Sequence, residues 1–512
     1  MRTRSRAQKA RERKRRIQQR LAPREWVAQE EPMFRATNVH YDIADRTRAM
    51  DYGGIGAIHL MCLRFGLVKA IDERLHVFKV HLPYAESDHV RNIAFNALCG
   101  GTCLEDIELR RNDEAYMDAL GAQRIPDPTT AGDFCRRFER ANVVGLMDAI
   151  NQARLNVWRQ QPKSFFQEAV IEADGTIVET TGECKEGMDI SYNRKWGYHP
   201  LIVSLANTQE VLFLENRSGN RPSHEGAAFW FDRAIELCRE AGFRTIRLRG
   251  DTAFTQTEHL DRWHEGGVRF NLGMKVVESL EERAENLPKS RWKRLHRPAK
   301  YEVQTEPRAR PENVKEQVVI ERGFDAVHLD HEEIAEFEYT PTKCRNPYRM
   351  VVLKKYLVWT KGQYQLWEEV RYFCYITNDW ETPAEEIVFS CNKRCNQENL
   401  VDQLKNGVYA LRTPVDTLLS NWAYMVMTAL AWNLMAWFGL LVPVEGRWRS
   451  QHTAQKQEIL RMHAKRFINT IIRVPCQIVR SGRRVIYRLL GWNPWQSALL
   501  RVADAMRQPL RC

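Results

Sequence analysis

CNKRCNQENLVDQLK, residues 391–405, sets the carboxylate of Glu398 among bases. A helical period of about 3.6 residues brings Arg394, Glu398 and Lys405 to neighbouring azimuths, with Cys391 one turn earlier. Alone, such a stretch reads as a solvated ion-pair face. Two aspartates upstream change that reading, because Asp174 in AVIEADGT and Asp251 in TIRLRGDTAF each follow a short apolar strand pattern. A carboxylate just past a buried strand end is rigidly held yet open to solvent. A single Asp there more often turns the chain, above all before Gly175. Three carboxylates in the order Asp, Asp, Glu suit two divalent metal ions, and a basic chain around them points to phosphates as the substrate. Glu172, two strand residues before Asp174, adds a carboxylate on the same face.

The chain has 512 residues, enough for several domains, since single cores rarely grow past about 250 to 300. Its formal charge of +12 favours a polyanionic partner and says nothing of fold. The twelve cysteines are scattered, several within apolar periodic runs, and are read as reduced thiols. Cys99 with Cys103 and Cys391 with Cys395 lack a second Cys/His pair at zinc-finger distance, so no structural zinc is expected. The N-terminus is basic with no apolar core after it, which argues against a secretory signal and for the cytoplasm.

Cys391, Arg394, Glu398 and Lys405 reproduce the spacing of the Tyr-x2-Arg-x3-Glu-x6-Lys signature of bacterial insertion-sequence transposases of the Asp-Asp-Glu class, departing only at the first position. GYHPLIVSLANTQEVLFLENRSGN, GDTAF and CNQENLVDQLKNGV resemble the family called insertion sequence thirteen-eighty, from about Asp51 onward. The resemblance implies an α/β protein with a ribonuclease H-like catalytic core, a β-rich insertion, a helical N-terminal DNA-binding domain and a basic C-terminal region. It implies a DNA transposase that binds terminal inverted repeats and catalyses metal-dependent cleavage and strand transfer. The catalytic and metal-ligating residues are then Asp174, Asp251 and Glu398, holding two Mg²⁺ with Mn²⁺ able to substitute. Arg394 and Lys405 contact DNA phosphates. The partners are double-stranded DNA, as transposon ends and target, and a second copy in a homodimer on DNA, in a bacterial, nucleoid-associated setting. A ribonuclease H-like nuclease without strand transfer and a catalytically inactive DNA-binding protein are the alternatives.

The expected segments are a basic disordered arm (1–30), a helical DNA-binding domain (31–160), the first part of the core (161–275), the β-rich insertion (276–375), the second part of the core (376–445) and the basic C-terminal region (446–512). Met1–Arg24 is too polar to offset ordering entropy and reads as a disordered arm that adds phosphate contacts. In IPDPTTAGDFCRRFER, Pro128 stops one element and Thr129 or Thr130 caps a helix offering Arg136, Arg137 and Arg140 as DNA contacts. From Glu168, three strand patterns, a helix, TIRLRGD, a second helix and VRFNLGMK follow the chain order of a ribonuclease H-like core. The strands ahead of the two aspartates are expected to be adjacent and parallel.

Beside the first strands, Tyr192, Lys195, His199 and the loop 217–224 have no defined role. In the insertion, YRMVVLKKYLVW and EVRYFCYITN alternate as strands about Lys361-Gly362, and Trp292, Trp359 and Trp367 are candidates to stack a flipped base. Residues 417–444 are uncharged and long enough to span a bilayer, yet Asn421 and Asn433 interrupt them and an internal helix is equally apolar, so no membrane partner is expected. A hairpin about Ser481-Gly482 offers Arg480, Arg483, Arg484 and Arg488 to DNA or to solvent.

Overall fold

The computed structural model describes residues 5–22, 36, 38–44, 46–79, 83–297, 314–393 and 395–508. Two compact units emerge, the first comprising Met1–Gln161, Gly182–Gly187 and Asp402–Cys512, the second Pro162–Thr181 and Met188–Val401. Residues 402–445, grouped by sequence with the core, thus cluster with the helical unit. Helices used below are α1 (Arg6–Leu21), α2 (Ala227–Ala241), α3 (Ala384–Asn392), α4 (Cys395–Asp402) and α5 (Leu418–Leu440). Strands are β1 (Glu168–Gly175), β2 (Leu201–Leu205), β3 (Glu210–Glu215), β4 (Thr245–Gly250), β5 (Arg269–Met274), β6 (Lys293–Arg294), β7 (Asp325–Tyr339), β8 (Tyr348–Lys361), β9 (Tyr364–Thr377), β10 (Cys476–Ser481) and β11 (Arg484–Leu489).

The first unit is built around α5. Among the described residues it is the one helix long and apolar enough to cross a membrane, and its apolar window is wholly buried. It packs against Glu86–Leu98, Pro128–Arg136, Arg140–Trp158 and Arg449–Leu460, which is why every face is apolar. Asn421, buried near its start, bonds the Val415 backbone in both directions, accepting at 3.2 Å and donating at 2.8 Å. The chain before the long helix is capped by Thr417, whose hydroxyl accepts from the Ser420 amide. Strands β10 and β11 form an antiparallel hairpin, with Ala49–Met50 on the far side of β10.

The N-terminal arm is not disordered over its described part. Ser5 and Gln8 form a reciprocal capping box that starts α1. Its seated stripe is Ala10, Arg13 and Ile17, at helical spacing, and Arg13 Nη1 donates to the carbonyls of Leu489 and Gly491 at 3.0 Å each. Composition hid this, because the helix is tied down by caps and by acceptors some 470 residues away rather than by apolar burial. Residues 1–4 and 23–30 of the arm lie outside the described residues.

The second unit carries a nine-stranded mixed sheet in the order β6-β7-β8-β9-β5-β4-β1-β2-β3. The strand β1 runs parallel to β4, and β4 to β5, while β2 and β3 continue antiparallel from β1. The expected adjacency of the two Asp-bearing strands is therefore present. The β-rich stretch is an extension of the same sheet, because β9 pairs with β5 from Asn271↔Thr377 to Met274↔Cys374. Gly362, at φ 59°, supplies the left-handed turn between β8 and β9. One face of the central strands is covered by α2, whose Trp230 meets Phe213 of β3 at 5.1 Å between ring centroids. Behind the extension, α3 lies on β5, β7, β8 and β9.

Candidate active site

Alternation along β1 puts Glu168, Glu172 and Asp174 on one face, and along β4 puts Arg247, Arg249 and Asp251 on one face. Glu168↔Thr245 through Glu172↔Arg249 pair in parallel register at a constant offset of 77 residues. Asp174 and Asp251 are separated by the same 77, and Asp251 is still extended at φ −81° and ψ −172°. They therefore sit level, on the same face, at the C-terminal ends of neighbouring parallel strands.

The rows below them are acid against base. Arg247 Nε meets Glu168 Oε1 at 2.9 Å, and its Nη2 meets Asp379 Oδ2 at 3.0 Å. Arg249 Nε meets Glu172 Oε1 at 2.5 Å, with the Glu172 side chain 1% exposed. Burial pushes the Asp379 carboxyl up, but hydrogen bonds from Thr382 and the Arg247 guanidinium more than offset it and hold the group at about 2. The top row is acid against acid. Two carboxylates level on adjacent strands make an arrangement that suits a shared divalent cation, whereas the rows below pair acid with arginine. Glu172, read from sequence as a further carboxylate of the site, is instead taken up by Arg249.

The third carboxylate arrives on a different element. A single helix through residues 391–405 was expected; α3 ends at Asn392, α4 starts at Cys395, and Gln403–Gly407 is a π-helical turn. Asn, a residue of low helix propensity, recurs in the sequence at 392, 396 and 399. The π turn fits a close approach, because a Cβ on Gly407 would lie 2.7 Å from that of Ala464. Glu398 is exposed on α4. Its neighbour Gln397 is 1% exposed and was not singled out by sequence. Ser204 Oγ donates to Gln397 Oε1 at 2.5 Å, and Gln397 Nε2 donates to the Ile202 carbonyl at 3.4 Å. Ser204 and Ile202 pair with Glu172 and Asp174 across β1 and β2. Gln397 thus fastens the first turn of α4 to the sheet at the level of Asp174. Arg249 Nη1, donating to the Ser390 carbonyl at 3.0 Å, fastens α3 to the same face.

The sequence signal for this ladder was available: two arginines alternate with Ile246 and Leu248 in TIRLRGD, and two glutamates precede Asp174 at even spacing.

As the side chains stand, no group of three or more His, Cys, Asp and Glu among the described residues is gathered to hold a metal ion. The Asp174–Asp251 pair nevertheless fits one: both are hard oxygen donors, level, and partly exposed. One oxygen of Asp251 is committed, accepting from the Ala253 amide at 2.9 Å, which fixes the carboxylate's orientation.

The remaining sequence candidates fall elsewhere. Arg394 lies outside the described residues. Lys405 belongs to the first unit, on the π turn. Arg136 is held by Asp133 at 2.8 Å and Asp416 at 2.9 Å, and the Arg137 guanidinium lies 5.4 Å from the Phe78 ring centroid. The helix before them is capped by Asp127, with Pro128 at its first position, rather than by Thr129 or Thr130. Lys195 pairs with Glu179, and Tyr192 is exposed. His199 is buried, its Nδ1 2.7 Å from the Arg221 carbonyl oxygen. Buried Arg217, its pKa lowered to about 10 by desolvation, donates to the carbonyls of His199, Pro222, Ser223 and Glu225. Loop 217–224 is thus organised by backbone contacts beside Gly175, where a Cβ would lie 2.7 Å from His199 Nε2. Trp359 stacks on Trp367 at 5.3 Å, and Trp292 lies under the Lys354 ammonium.

Cys391 is 8% exposed in a core cluster with Leu295, Ile334, Val351, Leu353, Ile387 and Val388. It acts as a small hydrophobe. Cys391→Ala is expected to cost about 1 kcal/mol and leave DNA cleavage little changed. Cys391→Tyr, which restores the signature, should cost about 1–3 kcal/mol by overpacking. Denaturant midpoints with single-turnover cleavage check both. A cleavage loss in Cys391→Ala unaccompanied by unfolding would show that the thiol takes part.

No curated protein matches the chain. Among solved structures, the cryo-EM structure of a piggyBac transposase synaptic complex with hairpin DNA is similar at 11% identity, covering 84% of this chain and 88% of that one, with a TM-score of 0.38. The family model described as transposase DDE domain group 1 matches residues 52–510. With Asp174 and Asp251 level at their strand ends and that match spanning nearly the whole sequence, the chain belongs to the transposase DDE domain group 1 family.

Proposed function

We propose that this chain is the transposase of a bacterial insertion sequence, cutting the element's inverted-repeat ends and joining them to target DNA. The observation that carries the reading is the acid-against-acid row formed by Asp174 and Asp251 above two acid-against-base rows. The central five strands, ordered third-second-first-fourth-fifth with only the second antiparallel to both neighbours, support a ribonuclease H-like core.

Asp174, Asp251 and Glu398 would hold the metal ions. Mg²⁺, or Mn²⁺ in its place, would activate the attacking water or DNA 3′-hydroxyl and stabilise the leaving oxygen. Gln397 and Arg249 keep the two helices against the face on which the carboxylates stand. Arg394 and Lys405 would hold phosphates near the cut. Arg136 and Arg137, already engaged within the protein, would reach DNA only by exchanging those partners. Joining two ends requires two active sites, so the working form is a homodimer on DNA.

Labelled duplexes carrying the DNA that flanks the reading frame test this. Mg²⁺-dependent nicks at the element boundary, followed by joined products with an unrelated duplex, are expected. Nicks without joined products would make the protein a nuclease. Binding with neither would make it an inactive DNA-binding protein.

A further inference from the structure

We infer that α1 and the β10–β11 hairpin, marked separately in the sequence as basic segments, form one continuous surface that tracks the backbone of double-stranded DNA. The inference rests on DNA as the substrate proposed above and adds where the first unit grips it.

The two segments come from opposite ends of the chain. Arg13 joins them through the Leu489 and Gly491 carbonyls, Arg6 meets Asp504 at 2.8 Å, and the Lys14 ammonium lies 5.9 Å from the Trp492 ring centroid. These contacts use the inner face of α1. The helix holds eight bases and one acid, and Lys9, Arg11, Arg15 and Arg16 are exposed on its flanks and outer face. Arg13, beside the end of β11, thus sets a basic helix next to a basic hairpin.

Arg483 and Arg484 are exposed at the hairpin's turn, where Gly482 has φ 56°. The hairpin is firmly based: Tyr487 Oη donates to the Ala119 carbonyl at 2.8 Å, and Arg480 pairs with Asp118 at 2.8 Å. A rigid projection with a cationic tip, flanked by a cationic helix, suits the regularly spaced phosphates of a duplex. Charge complementarity selects the occupant. A duplex presents phosphates at a fixed spacing along both the helix and the hairpin, whereas the carboxylates of an acidic protein have no such period.

The test measures binding of the full chain to a short duplex of arbitrary sequence across a KCl series. Two variants are compared with the parent, Arg11→Gln/Arg15→Gln/Arg16→Gln and Arg483→Gln/Arg484→Gln. The log-log salt slope should fall by up to about 2.7 and about 1.8, at about 0.9 per lost phosphate contact, and the losses should add when combined. Arg13→Met keeps every outer base but unseats the helix, and should lose part of the α1 contribution. Circular dichroism and melting temperature confirm that each variant folds.

Unchanged slopes in either the helix or the hairpin variant would overturn the inference. So would variants that keep duplex binding yet lose binding to phosphatidylserine vesicles, which would make the surface a membrane contact. If slopes fall as expected but no DNA end is cleaved, the surface stands and the catalytic reading fails. Cleavage with unmoved slopes gives the reverse.

Discussion

Asp174→Asn, Asp251→Asn and Glu398→Gln are each expected to lower Mg²⁺-dependent end cleavage by roughly 10³-fold or more while duplex binding survives. Ligands of a shared metal site act as a unit, so each loss disables the whole chemistry rather than a share of it. The amide and carboxylate are nearly isosteric, and all three residues reach solvent, so folding should not change. Single-turnover cleavage with a parallel binding assay separates the effects. Near-normal cleavage in any one variant would strike that residue from the site.

Glu172→Ala and Arg249→Ala are expected to destabilise the second unit by about 3–5 kcal/mol each, because either removes the opposite charge that its buried partner faces. Glu172→Leu combined with Arg249→Met should cost less than either single change, since apolar replacement of both removes the stranded charge. Arg249 also holds α3 through the Ser390 carbonyl, so the double variant should fold yet cleave poorly. Denaturant unfolding, followed separately for the two units, measures the first effect, and cleavage measures the second. Full stability in Glu172→Ala would mean that the ladder carries no weight in the fold.

The place of Asp174 and Asp251 at the ends of neighbouring strands was legible in the sequence, because each ends a short strand pattern and a parallel pair of strands carries both to one edge. Their exact level was not, since register is decided by pairing between residues 77 apart. Arg247 and Arg249 escaped notice because charged residues in a strand usually signal a solvated face, whereas here each meets a buried acid. Gln397 escaped because a Gln beside a Glu is chemically ordinary until Ser204 and Ile202 are brought beneath it.

The π turn at Gln403–Gly407 was not legible, because the charge spacing fits one regular helix and the close approach of Gly407 to Ala464 is set by tertiary packing. The arm's helix was readable in principle from Ser5 and Gln8, the capping box, but its bulk charge dominated the reading. Continuity of the extension with the core sheet depends on pairing between β5 and β9, which no local pattern encodes.

The central claim is that the level pair of Asp174 and Asp251 holds a divalent cation. Mn²⁺ binding to the full-length protein, followed by electron paramagnetic resonance, tests it without reference to activity. The account predicts bound Mn²⁺ in the parent and at least about tenfold weaker binding in Asp174→Asn and in Asp251→Asn, a loss of about 1.4 kcal/mol or more. Undiminished Mn²⁺ binding in either variant would contradict it.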